Sequence, residues 1–119
     1  MTAAQEARIS LHVRGTDGSE RVVSAVVDTG FTEEFSLPPA IIDALHLPSL
    51  RIDQATLADG TEINVAVHEA SVLWDSHERP VTVHCLDGAP LIGMTLLMDH
   101  MLSIRVIPGG EVDVTPITE

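Results

Sequence analysis

Aromatic residues are nearly absent from this sequence. Tyrosine is missing, and Phe31, Phe35 and Trp74 complete the set of three among 119 residues. Stacking platforms for nucleic-acid bases are therefore scarce. Positive charge is also in short supply. Six basic residues stand against eighteen acids, giving a formal net charge of −12. A surface of that sign repels phosphate backbones and anionic lipid, so nucleic acid and membrane are poor partners. Cys85 is the only cysteine. No internal disulfide can form, and nothing points to an oxidising compartment. Its apolar neighbours mark Cys85 as buried filler rather than a nucleophile. Met1 to Arg8 lacks the apolar core of a signal peptide, and no apolar run approaches the length of a membrane span. The expectation is a soluble cytoplasmic protein.

What is present is valine-rich and reads mainly as strands. The length suits one domain, residues 1–119, with a small core for an enzyme. Ala7 to Val13 alternates as a strand, Gly15 to Ser19 makes a hairpin loop, and Arg21 to Val27 is a second strand. Phe35 to Leu37 reads as a short strand. Pro38-Pro39 opens a short helix, Ala40 to Leu45, buried through Ile41, Ile42, Leu45 and Leu47. Leu50 to Leu57 and Ile63 to Leu73 flank Asp59-Gly60, a strong hairpin signal. That long arm could cover a cleft or be a plain surface hairpin. In the next strand Val81, Val83 and Cys85 share one face, Thr82 and His84 the other. Leu91-Ile92-Gly93 precedes a helix expected from Met94 to about Met101. Leu102 to Ile107 and Val112 to Val114 are the last strands. Ile9 to Leu45 and Ile63 to Met101 share an order of strand, hairpin, strand, apolar pair with glycine, and helix. Two halves about a local two-fold would explain the echo.

The chemistry concentrates in Val26-Val27-Asp28-Thr29-Gly30. An apolar strand runs directly into an acid, a small hydroxyl residue and a glycine. The strand fixes the acid at its end, and the glycine admits close approach of backbone or ligand. By itself Asp-Thr-Gly is also an ordinary turn signal. Glu33 and Glu34 follow as an acidic turn, solvated by default, although they could bias a cleft towards basic substrates. The six histidines show no ligand spacing of the His-Glu-x-x-His kind. Asp99-His100 falls on the expected second helix and reads as solvent-facing. No serine or cysteine sits in a nucleophile-elbow pattern.

Taken in order, Val26-Val27-Asp28-Thr29-Gly30, the Ala58-Asp59-Gly60-Thr61 hairpin, and Pro90-Leu91-Ile92-Gly93-Met94 followed by Leu96-Leu97 are distinctive. The chain resembles a retropepsin-like (clan AA) aspartic protease protomer of the small bacterial and archaeal single-domain type, over roughly residues 7–114. Gly109-Gly110-Glu111-Val112 resembles the ending of that subgroup. The resemblance implies an all-β, closed-barrel-like acid-protease fold with two short helices and one Asp-Thr-Gly loop per protomer. It also implies a homodimer in which Asp28 meets Asp28 of a second copy. Two carboxylates about 3 Å apart cannot both ionise comfortably, so such pairs share a proton and activate water against a peptide carbonyl. The implied activity is aspartic endopeptidase action on a polypeptide substrate, with no metal and no cofactor.

The same resemblance assigns catalytic roles to Asp28, Thr29 and Gly30, with Thr29 bracing the paired loops and Gly30 offering its N–H to the carboxylates. Leu57, Ala58, Asp59, Gly60 and Thr61 become a flap over the substrate, and Phe31 a cleft residue. Leu91, Ile92 and Gly93 support the site from behind. Two positions depart from familiar viral-type members: Phe31-Thr32 replaces a small and then a polar residue, and Met94 stands where arginine is common. Val112 to Val114 could contribute to a terminal sheet between protomers. Two alternatives stay open: a catalytically weak or inactive dimeric peptide-binding scaffold of the same fold, and a subunit that needs a different partner.

Overall fold

The computed structural model describes residues 5–118, so the first half of the Met1 to Arg8 stretch lies outside them. β1 (Arg8–Arg14) and β2 (Glu20–Val27) form an antiparallel hairpin, registered from Arg8 opposite Val26 to Arg14 opposite Glu20. Alternation decides its inner face: Leu11, Val13, Val23 and Ala25 are buried. After β3 (Phe35–Leu37) comes α1 (Pro39–Ala44), with proline in its first turn as expected. Ile42, Leu45 and Leu47 are buried, while Ile41 is half-buried. The long arm is β4 (Ser49–Thr56) against β5 (Glu62–Trp74), and β6 (His77–Cys85) returns along β5. Then follow β7 (Leu91–Ile92), α2 (Met94–Leu97), β8 (His100–Ile104) and β9 (Val112–Pro116).

The large sheet runs β1-β2-β7-β3-β6-β5-β4, and Val13 opposite Val72 closes β1 onto β5. Six strands thus form a closed barrel, with β4 added outside the closure. The order reads the same from either end when β1, β2 and β3 are exchanged for β5, β6 and β7. β2 pairs parallel with β7, β3 pairs parallel with β6, and β3 meets β7 antiparallel across the centre. A helix follows β3 and another follows β7. The internal echo in the sequence is therefore a two-fold in the sheet. Phe35 and Ile92 pair across the central strands, and with Leu37 and Val83 beside them they are completely buried.

Three local expectations change. α2 is a single turn, not a helix to Met101. Met98 is already extended and Asp99 has φ +65°, a left-handed conformation that ends the helix. His100 then starts β8, and Met101 is 61% exposed instead of buried. β8 is accordingly earlier and shorter than expected, while β9 continues to Pro116. On β6 the faces do not divide as polar and apolar: His84 is buried and Cys85 half-buried. Near its end both faces of β6 are covered, Val83 by the core and His84 on the other face by the Phe31 ring, so alternation no longer separates polar from apolar. None of the described helices is long and apolar enough to cross a membrane.

Candidate active site

Asp28 stands one residue beyond β2, where β2 pairs with β7. Its backbone N–H donates to the Ile92 carbonyl at 2.9 Å, so the acid is registered on the barrel's central strands. The loop then folds back on itself. Gly30 N–H donates to Asp28 Oδ1 at 2.9 Å, and Phe31 N–H to the Asp28 carbonyl at 3.1 Å. The Gly30 hydrogen bond fixes the direction of the carboxylate. Asp28 is half-buried, while Thr29 and Gly30 are exposed. The Thr29 hydroxyl has no hydrogen-bond partner among the described residues.

The β7–α2 junction clamps this loop from behind. Gly93 N–H donates to the Glu34 carbonyl at 3.0 Å, and Met94 N–H to the Phe31 carbonyl at 2.8 Å. The Thr95 hydroxyl adds a short bond to the Thr32 carbonyl. A Cβ on Gly93 would lie 2.0 Å from the Glu33 carbonyl oxygen and 2.7 Å from Cδ2 of Phe31. Only a residue without a side chain lets the two loops meet this closely. Ile92 is fully buried beneath them and Leu91 is half-buried.

Glu34 holds the same loop from the side, and its role was not legible in the sequence. The Thr82 N–H and hydroxyl donate to its Oε1 at 3.0 and 3.1 Å, and Arg79 approaches Oε2 at 3.4 Å. Its side chain is only 17% exposed. Far from being a solvated turn residue, it ties the Asp-Thr-Gly loop to β6 across 48 residues of sequence. No local pattern signals such a partner.

Opposite the loop, the β4–β5 arm turns at Leu57 to Thr61. Leu57 N–H donates to the Thr61 carbonyl at 2.8 Å, and Gly60 takes φ +87°. Thr61 N–H donates to Asp59 Oδ1 at 2.8 Å, and the Thr61 bonds hold the Asp59 carboxyl below its usual range. A cleft of roughly 500 Å³ separates arm and loop. Gly30 and Phe31 form one wall and Leu57 belongs to the other. Ala58, Asp59, Gly60 and Thr61 form the exposed tip beyond it. Asp53 and Ile63 of the arm, Glu33 of the loop, and His84 of β6 complete the walls. His84 is a second residue whose position local pattern did not reveal: it stands 6% exposed, with the Phe31 ring edge-on at 6.3 Å between centroids.

The architecture has a counterpart among solved structures. The EIAV protease in complex with the inhibitor HBY-793 superposes with a TM-score of 0.56 and 13% identity, over 83% of this chain and 91% of that one. The fold is retropepsin-like. No family model and no curated protein matches the sequence. Within this retropepsin-like fold the chain presents a strand-end aspartate on a glycine-backed loop, and Gly30 to Glu33 of that loop face the hairpin arm across one cleft.

Proposed function

We propose that the chain is the single-domain protomer of a homodimeric aspartic endopeptidase of the small prokaryotic type, working in the cytoplasm. The observation that carries this reading is Asp28 itself. Its carboxylate is fixed by the Gly30 N–H at the end of a barrel strand, on the loop that forms one wall of the cleft. A single carboxylate cannot be base and acid in one step, and the chain contains one Asp-Thr-Gly. Pairing with Asp28 of a second copy supplies the other. The ionised member then takes a proton from water as the water attacks the peptide carbonyl. The protonated member donates to the developing oxyanion, and a proton passes to the leaving nitrogen. The exposed Thr29 hydroxyl, without a partner among the described residues, would bond across the two-fold. Leu57 to Thr61 would close over an extended peptide and exclude water.

The test is cleavage of a diverse peptide library from about pH 4 to 7, chosen to span the loss of the shared proton on the proposed dyad. Wild type is compared with Asp28→Asn. Cleavage is expected from wild type alone, with the variant folded and of unchanged mass in solution. The rate should fall on the alkaline side as the shared proton is lost, and a profile without that limb contradicts the dyad. Cleavage surviving in Asp28→Asn removes Asp28 from the chemistry. Peptide binding without cleavage by wild type favours the scaffold reading instead.

A further inference from the structure

The cleft contains an arrangement of charge that the dyad does not use. Glu33 enters from the Asp28 loop and Asp53 from β4, and both converge on one buried imidazole. His84 Nε2 lies 3.6 Å from Asp53 Oδ2 and 3.9 Å from Glu33 Oε2, beyond hydrogen-bonding distance for either. His84 is 6% exposed, and its Nδ1 is buried with no hydrogen-bond partner. Both carboxylates face the same ring nitrogen, which carries at most one N–H, so it cannot satisfy the two. Arg51 Nε donates to Asp53 Oδ1 at 2.9 Å, which leaves Oδ2 directed at His84. Neither arginine nor lysine lines this cleft among the described residues.

We propose that Glu33, Asp53 and His84 form a subsite for a basic side chain, arginine before lysine, of a peptide lying in the cleft. This rests on reading the cleft as a peptide site. A peptide covering the cleft would strip water from Glu33 and from Asp53 Oδ2, and these oxygens would then need a donor beyond the Arg51 bond to Asp53 Oδ1. A guanidinium carries five N–H groups in one plane and can serve two carboxylates that approach from different sides. An ammonium is a point charge and fits less well. The half-buried Phe31 ring lines the same wall, where a planar cation could stack on it. Glu34 does not take part, because Thr82 and Arg79 already occupy its carboxylate.

The experiment uses fluorescent octapeptides of mixed neutral residues, with arginine, citrulline or glutamate fixed at one position at a time. Affinity is read by anisotropy on Asp28→Asn protein, which removes turnover on the proposed mechanism. Citrulline keeps the shape of arginine and removes its charge, so the comparison needs no change in the subsite. Arginine is expected to bind about tenfold more tightly than citrulline at one or two positions, in line with a desolvated charge-assisted pair. Glu33→Gln with Asp53→Asn should reduce that advantage to about twofold, the residue expected from surface charge alone. Equal binding of arginine and citrulline overturns the subsite, as does the absence of any binding. So does an advantage independent of position, or one that survives the double substitution, since both report only the acidic surface. Wild-type cleavage of the same peptides separates the two readings. Cleavage without arginine preference removes the subsite and leaves the peptidase. Arginine-selective binding without cleavage keeps the subsite and removes the peptidase.

Discussion

A methyl group at position 93 would sit 2.0 Å from the Glu33 carbonyl, inside any tolerable contact, and the neighbour is backbone that cannot step aside. Gly93→Ala should therefore lower stability by about 3 kcal/mol, the upper range for overpacking a tight site. Urea denaturation measures it, and an unchanged midpoint would mean the two loops are not clamped. Glu34 gives a second prediction at this scale. Glu34→Ala leaves the Thr82 N–H and hydroxyl without their acceptor and should cost about 1–3 kcal/mol. Glu34→Gln, which keeps an acceptor oxygen, should recover most of that in the same titration. These residues differ in how far they could be read beforehand. Asp28 announces itself because an acid ending an apolar strand is locally unusual. Gly93 was legible as a glycine after an apolar pair. Glu34 and His84 were not, because their partners lie on other strands and only sheet pairing brings them together.

Among the elements, β8 and β9 form their own two-stranded sheet and depend on side chains to join the barrel. His100 makes that attachment. Its Nδ1 bonds the Met98 carbonyl at 2.7 Å, and Nε2 meets both the Trp74 indole N–H at 3.1 Å and, more closely, the Asp75 carboxylate. With a proton on Nδ1, neutral Nε2 accepts from Trp74, whereas protonated Nε2 donates to Asp75. Burial opposes the charged ring and Arg79 adds to that opposition, but Asp75 and the Met98 carbonyl outweigh them and the His100 pKa is raised. A raised folded pKa gives stability that is complete below the ordinary histidine value of about 6.5 and is lost as pH rises through the folded value. Hydrogen exchange in β8 and β9 should therefore accelerate as pH climbs past neutrality, after correction for intrinsic rates. His100→Gln should abolish that extra dependence, and an unaltered profile in the variant would assign it elsewhere. Sequence reading made this segment a helix because Met94, Leu97 and Met101 fall at helical spacing. Tertiary contacts of His100 with Trp74 and Asp75 prevailed over that weak periodicity.

For the molecule as a whole, the stretch that follows β7 carries a run of exposed apolar side chains. Met94, Met98, Met101, Ile104, Val106 and Ile107 are all exposed, on α2, β8 and the turn that follows. On the homodimer proposal they cover one another across the second two-fold, and Met101→Asp should weaken self-association at least roughly tenfold, as truncated or charged interface anchors do. Sedimentation velocity over a concentration series reads it directly. A charge of −12 on each copy opposes association, so moderate salt should strengthen the dimer. A monomer at every concentration and salt level would send the search to a different partner chain.

Local pattern was sufficient for the strands before β7, the turns at Gly15 to Ser19 and Asp59-Gly60, the proline-led helix and the strand-end position of Asp28. Alternation, turn glycines and prolines act through neighbouring residues, so one sequence displays them directly. The internal repeat was visible for the same reason, as the same local order used twice. Only the tertiary structure decided that β1 closes on β5, that the two halves cross parallel, and that α2 stops after one turn. It also brought Glu34 to Thr82, His84 between Glu33 and Asp53, and His100 under Trp74. Those contacts come from strand register and barrel closure, and their strength depends on burial and direction, which exist only once the chain has folded.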